Sequence, residues 1–219
     1  LEFRRVLFRS RGERMGTLTA TQPKPLLEVA GRPLIEHHVM RLKTLGFAEI
    51  VINLSYRGAQ IREYLGDGRR FGVTIDYSDE GEPPLETAGG IVQALPLLGP
   101  RFLVVNSDVF TDFDYRTLRA AAGSTLVLVA NPSHNARGDF GIDDRGHVRA
   151  EPRTHTYAGI AALEAAMFAG LAPGRRALKP VLDEAIARDA LLGARFDGLW
   201  LDVGTPERLE AAREVAKHR

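Results

Sequence analysis

The chain has 219 residues, 44% of them hydrophobic and 26% charged, which is the composition of an ordinary folded domain. It has no cysteine, so disulfide bonds, thiolate zinc sites and cysteine nucleophiles are excluded. The 29 basic and 28 acidic residues give a formal charge of +1, which gives no reason to expect a nucleic acid or a membrane as partner. No apolar run approaches the ~20 residues of a membrane span and no signal-peptide core appears, so we expect a cytoplasmic protein.

The first ten residues, LEFRRVLFRS, carry three arginines and read unlike the sequence that follows. We interpret residues 1–10 as a non-native leader; the alternative is a short native strand, VLF, with basic flanks. Residues 11–219 show no internal repeat and no linker, so we predict one domain there, with its native first strand missing.

Helical and strand-like patterns alternate along the rest of the chain. In order they predict helix 33–45, strand 49–55, helix 60–65, strand 72–77, helix 88–98, strand 101–106, helix 115–122, strand 124–130, a hairpin over 139–151, strand 156–163, helix 178–188, strand 198–203 and helix 206–218. Short buried strands that alternate with helices indicate an α/β fold with three layers around a mostly parallel, mixed sheet. In such sheets ligands bind beyond the carboxyl ends of the strands.

Two basic segments could bind phosphate. The glycine loop Arg11-Gly12-Glu13-Arg14 offers backbone N–H groups and a guanidinium fork. In Pro23-Lys24-Pro25 the two prolines restrict the backbone on both sides of one of only four lysines in the chain. The alternative for both segments is a solvated, charged loop.

Two aspartates end predicted strands. Asp108 follows strand 101–106, with Asn106 two residues earlier on the same face. Asp202 ends strand 198–203, before a helix with Thr205 as N-cap and Pro206 at its first position. Both carboxylates would meet at one edge of the sheet and could share a Mg²⁺ ion; the alternative is that each is a turn or cap residue.

Weaker signals come from glycine-rich segments. In Leu85-Glu86-Thr87-Ala88-Gly89-Gly90 small residues would let a ligand approach a helix start, or the segment is simply a Thr-capped helix end. In Gly138-Asp139-Phe140-Gly141, Asp139 could bind sugar hydroxyls, as could Glu151 further on, unless both serve only the hairpin. We expect the histidines to be structural or on the surface; His37 and His38 are adjacent on a helix and point apart.

Taken together, RGERM, PKPLLEVAGRPLIEH, LETAGG, VVNSD, GDFG and WLDVGTPERL resemble the sugar-1-phosphate nucleotidylyltransferases from about residue 11 to the end. The resemblance implies the nucleotide-diphospho-sugar transferase fold, which is Rossmann-like. It also implies a reaction of a nucleoside triphosphate with a sugar 1-phosphate that releases pyrophosphate. LETAGG and GDFG favour UTP and N-acetylmuramate 1-phosphate as substrates, a reaction of cytoplasmic peptidoglycan recycling.

The resemblance also implies roles for individual residues. Asp108 and Asp202 would hold Mg²⁺, and Lys24, Arg14 and Asp108 would be catalytic. The remaining assignments are nucleotide contacts by Gly12, Glu13, Arg14, Lys24 and Gly81, and sugar-phosphate contacts by Asn106, Asp139 and Glu151.

The sequence departs from the family just before the glycine loop. The family has a strand that runs into Leu-Ala-Ala-Gly, and this chain has Val6-Leu7-Phe8-Arg9-Ser10. We therefore predict weak or absent activity for the chain with its present residues 1–10. Two alternatives remain: a nucleotidylyltransferase for mannose 1-phosphate with GTP or glucose 1-phosphate with dTTP or UTP, and a non-catalytic domain that binds nucleotide sugars.

Overall fold

A computed structural model describes residues 5–9 and 15–218, with side chains from Met15 onward. The strands are β1 (Arg5–Arg9), β2 (Glu28–Val29), β3 (Arg32–Pro33), β4 (Glu49–Leu54), β5 (Thr74–Asp79), β6 (Arg101–Asn106), β7 (Val109–Thr111), β8 (Ser124–Ala130), β9 (Gly141–Ile142), β10 (Val148–Arg149), β11 (His155–Glu164), β12 (Leu191–Arg195) and β13 (Trp200–Asp202). The helices are α1 (Leu34–Thr44), α2 (Gly58–Leu65), α3 (Glu86–Ala94), α4 (Arg116–Ala120), α5 (Lys179–Ala187) and α6 (Pro206–Lys217).

The main sheet has the order β12-β8-β11-β6-β1-β4-β5. Strand β11 is antiparallel to both of its neighbours, β6 and β8, and the other adjacent pairs are parallel. The predicted mostly parallel, mixed sheet is confirmed. Strand β1 lies inside the sheet, between β4 and β6, and comes from the segment interpreted as a leader; the non-native origin of that segment stays a prediction.

Helices cover both faces of this sheet. On strand β4, Ile50 and Ile52 face one hydrophobic cluster and Val51 faces the other, as the period of two along a strand requires. The first cluster includes residues of α1, α2 and α4, and the second includes residues of α3 and α5. The predicted three-layer arrangement is therefore confirmed.

Most predicted elements are present with shifted ends. Helix α3 begins at Glu86 rather than 88, and it gives way at Leu95–Leu97 to a 3-10 turn containing Pro96, whose ring nitrogen cannot continue the helical hydrogen bonds. The hairpin over 139–151 is confirmed as the antiparallel pair β9–β10. Strands β7 and β12 and the β2–β3 hairpin were not predicted.

A smaller cluster joins the C-terminal helix to the segment after the glycine loop. Leu209 and Ala212 of α6 pack with Leu27, Val29 and Met15. The side chain of Thr205 accepts a hydrogen bond from the Arg208 N–H, and Pro206 is the first residue of α6, so the predicted cap is confirmed. No helix in the described ranges is long and apolar enough to cross a membrane.

Candidate active site

A polar cavity of about 430 Å³ opens where β6, β11 and β13 meet. It is lined by Asn106, Asp108, Val109, His134, Asn135, Asp139, Thr156, Tyr157, Ala158, Gly159, Trp200 and Asp202. Asn106 is the last residue of β6, so the cavity lies at the carboxyl end of that strand, where α/β sheets bind ligands.

A short antiparallel ladder brings the two predicted aspartates together. Val109 of β7 pairs with Asp202 of β13, and the Val203 N–H donates to the Asp108 carbonyl at 2.8 Å. Asp108 and Asp202 are 94 positions apart in the sequence, yet this pairing places both carboxylates on the wall of one cavity. The expectation that these strand-end aspartates meet is confirmed.

Lys24 contacts one of these two aspartates, Asp108. Its ammonium lies 2.6 Å from Asp108 Oδ2, and only 3% of its side chain is exposed, against 20% for Asp108. Pro23 is extended and Pro25 lies inside a 3-10 turn, so the backbone on both sides of Lys24 is restricted, as predicted. A buried, immobilised cation beside an acidic cavity wall is suited to a phosphate group.

Asp202 has basic neighbours of its own. Arg208 Nη1 lies 3.1 Å from Asp202 Oδ2, and His134 Nε2 lies 3.6 Å from the same oxygen. The expectation that His134 has a structural or surface role was incomplete, because this side chain also lines the cavity. The position of His134 just after β8, at a strand's carboxyl end, was the signal that could have indicated it.

A bulge in β11 lies against Asn106. The register between β11 and β8 shifts between Tyr157 and Ala161, and Gly159 within the shift has a φ of +72°. A Cβ on Gly159 would lie 2.7 Å from Asn106 Nδ2, so glycine is required for both the backbone angle and the close approach.

Asp139 is held by two hydrogen bonds. Its Oδ2 accepts from the Tyr157 N–H at 2.9 Å and its Oδ1 accepts from Asn135 Nδ2 at 3.1 Å. Two donors that are themselves fixed keep this carboxylate in place on the cavity wall. The structure therefore brings Lys24, Asn106, Asp108, Asp139 and Asp202 to one region, as the sequence led us to expect.

A second cavity of about 420 Å³ adjoins the first and shares Asn106, Asp139 and Tyr157 with it. Its other lining residues are Glu86, Thr87, Gly138, Phe140, Arg153, Ala177, Leu178, Lys179 and Leu182. The Tyr157 hydroxyl is buried without a hydrogen-bond partner in the described part of the chain, and burial raises its pKa above the usual value.

The glycines of LETAGG approach the protein itself rather than an open ligand site. A Cβ on Gly89 would collide with the Gly174 carbonyl, and one on Gly90 would collide with the side chains of Glu80 and Asn53. Asn53 Nδ2 donates to Glu80 Oε1 at 2.9 Å, and the Leu85 N–H donates to Glu80 Oε2 at 3.0 Å. The prediction that these small residues let a ligand approach the start of the helix is therefore wrong for Gly89 and Gly90, which instead allow close packing within the protein.

Two of the predicted residues, Gly81 and Glu151, line neither cavity. Gly81 has a φ of +70° in the loop between β5 and α3, with open space around it. Glu151 is 67% exposed and pairs with Arg153 at 2.8 Å; it lines neither cavity, although Arg153 does. Gly12, Glu13 and Arg14 fall outside the described residues.

The donor set of the first cavity suits a hard cation. Asp108 and Asp202 provide carboxylate oxygens, the ligands that Mg²⁺ prefers, and both remain partly accessible, at 20% and 24%. Within residues 15–218 no three acidic, histidine or cysteine side chains converge to enclose a metal. At phosphate-transfer sites Mg²⁺ usually binds one or two protein carboxylates, and water and phosphate oxygens complete its coordination. Asp108 and Asp202 fit this arrangement.

Comparison with known proteins agrees with this geometry. The model of the nucleotidyl transferase family matches residues 9–149. The chain belongs to that family. It is 48% identical over 223 residues to an N-acetylmuramate alpha-1-phosphate uridylyltransferase of Neisseria meningitidis, and the alignment covers 96% of each chain.

More distant relatives share the fold. A mannose-1-phosphate guanylyltransferase of Mycobacterium tuberculosis is 30% identical over 92% of this chain, which spans only 61% of that protein. The structure of a Bacillus anthracis protein described as a glucose-1-phosphate thymidylyltransferase superposes with a TM-score of 0.84 at 21% identity, covering 99% of this chain and 96% of the other. The expected nucleotide-diphospho-sugar transferase fold is thereby confirmed.

Proposed function

We propose that the chain is a Mg²⁺-dependent uridylyltransferase, which converts UTP and N-acetylmuramate 1-phosphate to UDP-N-acetylmuramate and pyrophosphate. The observation that carries the proposal is that Asp108 and Asp202 line one polar cavity and that buried Lys24 contacts Asp108. The 48% identity to the Neisseria enzyme over nearly the full length supports the choice of substrates. The product would serve peptidoglycan recycling in the cytoplasm.

The reaction needs no general base. An oxygen of the sugar phosphate, already ionised near neutral pH, forms a bond to the α-phosphorus of UTP. The bond from that phosphorus to the bridging oxygen breaks, and pyrophosphate leaves with the electron pair. Because two polyanions must approach in line, catalysis consists of positioning and charge neutralisation. A site made of Lys, Asp and Asn, without a Ser-His or Cys-His pair, suits this chemistry.

Individual residues then have distinct tasks. Asp108 and Asp202 would hold Mg²⁺, which neutralises charge on the phosphates when bound. Lys24 would stabilise the charge that develops on the phosphate oxygens, because its ammonium is fixed against Asp108, which lines the cavity, and is shielded from water. Asn106 and Asp139 orient the sugar phosphate through hydrogen bonds.

The nucleotide contacts rest on the family resemblance. Gly12, Glu13 and Arg14 would surround the triphosphate, and Gly81 would lie beside the base, where its backbone is open to a ligand. Glu151 acts, in this proposal, through Arg153, to which it is paired.

A substrate panel tests the proposal. Because we predict weak or absent turnover with the present residues 1–10, the test uses the chain in which they are replaced by a strand that ends in Leu-Ala-Ala-Gly. This protein is incubated with Mg²⁺, with UTP, GTP or dTTP, and with the 1-phosphate of N-acetylmuramate, mannose or glucose, and products are identified by mass spectrometry. We expect UDP-N-acetylmuramate and pyrophosphate as the main products. A GDP-mannose product would instead favour the function of the Mycobacterium relative. Nucleotide binding that neither Mg²⁺ nor Asp108→Ala affects, without turnover, would favour a binding domain.

A further inference from the structure

We infer that the second cavity is the subsite for a carboxylate carried by the sugar, and that Lys179 is the residue that selects for it. This inference rests on the proposed function, because N-acetylmuramate differs from N-acetylglucosamine by a lactyl ether that ends in a carboxylate. A substrate whose phosphate lies in the first cavity would reach the second cavity past Asn106, Asp139 and Tyr157, which line both.

Two cations give the second cavity its charge. The Lys179 ammonium and the Arg153 guanidinium belong to side chains that line it. Lys179 is also the first residue of α5, where the helix dipole adds positive potential. An anionic substituent would therefore meet favourable charge on this wall, in contrast to the aspartates of the first cavity.

The acidic groups on the same wall are already engaged. Glu86 Oε1 lies 2.9 Å from Arg175 Nη2, and Asp139 accepts hydrogen bonds from Asn135 and Tyr157. These contacts neutralise or fix both carboxylates, so neither has to take its counter-charge from Lys179.

The present partners of the two cations are exchangeable. Lys179 pairs with Asp183 at 2.5 Å, with side chains 52% and 44% exposed, and Arg153 pairs with the exposed Glu151. Exposed ion pairs contribute little stability, so a substrate carboxylate can replace one partner at small cost. A buried carboxylate held permanently against Lys179 or Arg153 would have left no free charge for a ligand at this position.

The remaining wall matches the rest of a lactyl group. Phe140, Ala177, Leu178 and Leu182 give an apolar surface for its methyl group. Cations and an apolar wall therefore occur together in one cavity.

The test compares two sugars that differ only in the lactyl group. Dissociation constants for N-acetylmuramate 1-phosphate and N-acetylglucosamine 1-phosphate are measured by calorimetry with Mg²⁺. The variants are Lys179→Met, Lys179→Arg and Arg153→Gln. Arg188→Gln is the matched control, since it removes an exposed cation from the other end of α5, outside the cavity.

We expect the unaltered chain to bind the muramate more tightly. The ratio measured is the dissociation constant for N-acetylglucosamine 1-phosphate divided by that for N-acetylmuramate 1-phosphate. Lys179→Met should lower this ratio about 10- to 100-fold, the size of one lost charge-assisted hydrogen bond. Arg153→Gln should lower the ratio as well, Lys179→Arg should retain most of the preference, and Arg188→Gln should keep it unchanged. An unchanged ratio in Lys179→Met, or equal weakening for both sugars, would overturn the inference alone. Failure of the unaltered chain to bind either sugar phosphate would overturn the proposed function as well.

Discussion

At the scale of single residues, the contact between Lys24 and Asp108 serves the fold and the proposed chemistry together. Lys24 is nearly inaccessible, and a buried ammonium without a counter-charge is costly. Asp108 compensates that charge while its own carboxylate still faces the cavity. Stability and activity should therefore respond differently to changes at the two positions.

We predict that Asp108→Asn destabilises the protein more than Lys24→Met does. Loss of the carboxylate leaves a buried cation, at a cost of about 2 kcal/mol, whereas loss of the lysine leaves a partly hydrated anion, at about 1 kcal/mol. Both variants should lose at least about 100-fold in kcat. Urea unfolding and steady-state kinetics measure the two effects; the reverse order of stabilities would contradict this account of the pair.

His38 provides a second prediction, on the dependence of stability on pH. Burial lowers its pKa to about 4, and its Nδ1 lies 3.1 Å from the Tyr115 hydroxyl, while the adjacent His37 points away to the Val29 carbonyl. The unfolded chain binds a proton at His38 near pH 6.5 that the folded chain does not bind until about pH 4. The free energy of unfolding therefore falls as the pH falls through this window.

Between pH 7 and pH 5 the contribution of His38 to this loss should be about 2 kcal/mol. Urea unfolding of the unaltered chain and of His38→Gln at both pH values measures it, since glutamine does not titrate. We expect a flatter profile for the variant. Equal slopes for the two proteins would show that His38 is not held neutral by burial.

At the scale of elements, the bulge in β11 is the feature that shapes the site. It places Gly159 against Asn106 at the end of β6, and the backbone there has a positive φ. Gly159→Ala should cost about 1–3 kcal/mol in stability and should also raise the KM for the sugar phosphate, because a Cβ would displace Asn106.

Gly123→Ala is the matched control for this prediction. Gly123 has a similar φ of +67° but nothing within 4 Å of a Cβ, so it shares the backbone cost without touching the site. Thermal unfolding and KM are measured for both variants. A KM that rises equally in the two would show that Asn106 does not depend on the bulge.

Elements with a clear pattern could be predicted from the sequence, and those fixed by contacts could not. The buried run of β8 and the helical spacing of α1 are local signals, and both were found. Strand β12 reads Leu-Leu-Gly-Ala-Arg, without alternation, and is a strand because it pairs with β8. Strand β7 has three residues and exists only by pairing with β13.

At the scale of the whole molecule, the candidate site joins segments that are distant in the chain. The sequence indicated Asp108 and Asp202 because each ends a strand, but their meeting depends on the β7–β13 ladder. His134 was missed because its importance arises from the cavity it lines and not from a local motif. The second cavity could not be inferred, since residues 86–87, 138–140, 153, 177–179 and 182 converge only in the folded chain.

The N-terminal segment carries a prediction at this scale. Arg5–Arg9 forms β1, an interior strand of the main sheet, and this chain has Val6-Leu7-Phe8-Arg9-Ser10 where the family strand runs into Leu-Ala-Ala-Gly. We predict that replacing residues 1–10 by a strand that ends in Leu-Ala-Ala-Gly raises turnover and leaves the sugar preference unchanged. Full activity of the chain without any replacement would contradict the interpretation of residues 1–10 as a non-native leader.

The most direct test of the account is pyrophosphate release from UTP, N-acetylmuramate 1-phosphate and Mg²⁺ by the chain with its first ten residues replaced. The same chain carrying Asp202→Asn, checked for folding by circular dichroism, is measured beside it. The account predicts release that requires both substrates and is lost at least about 100-fold in the folded Asp202→Asn variant. Release that is unaffected by Asp202→Asn, or no release with any nucleotide, would contradict it.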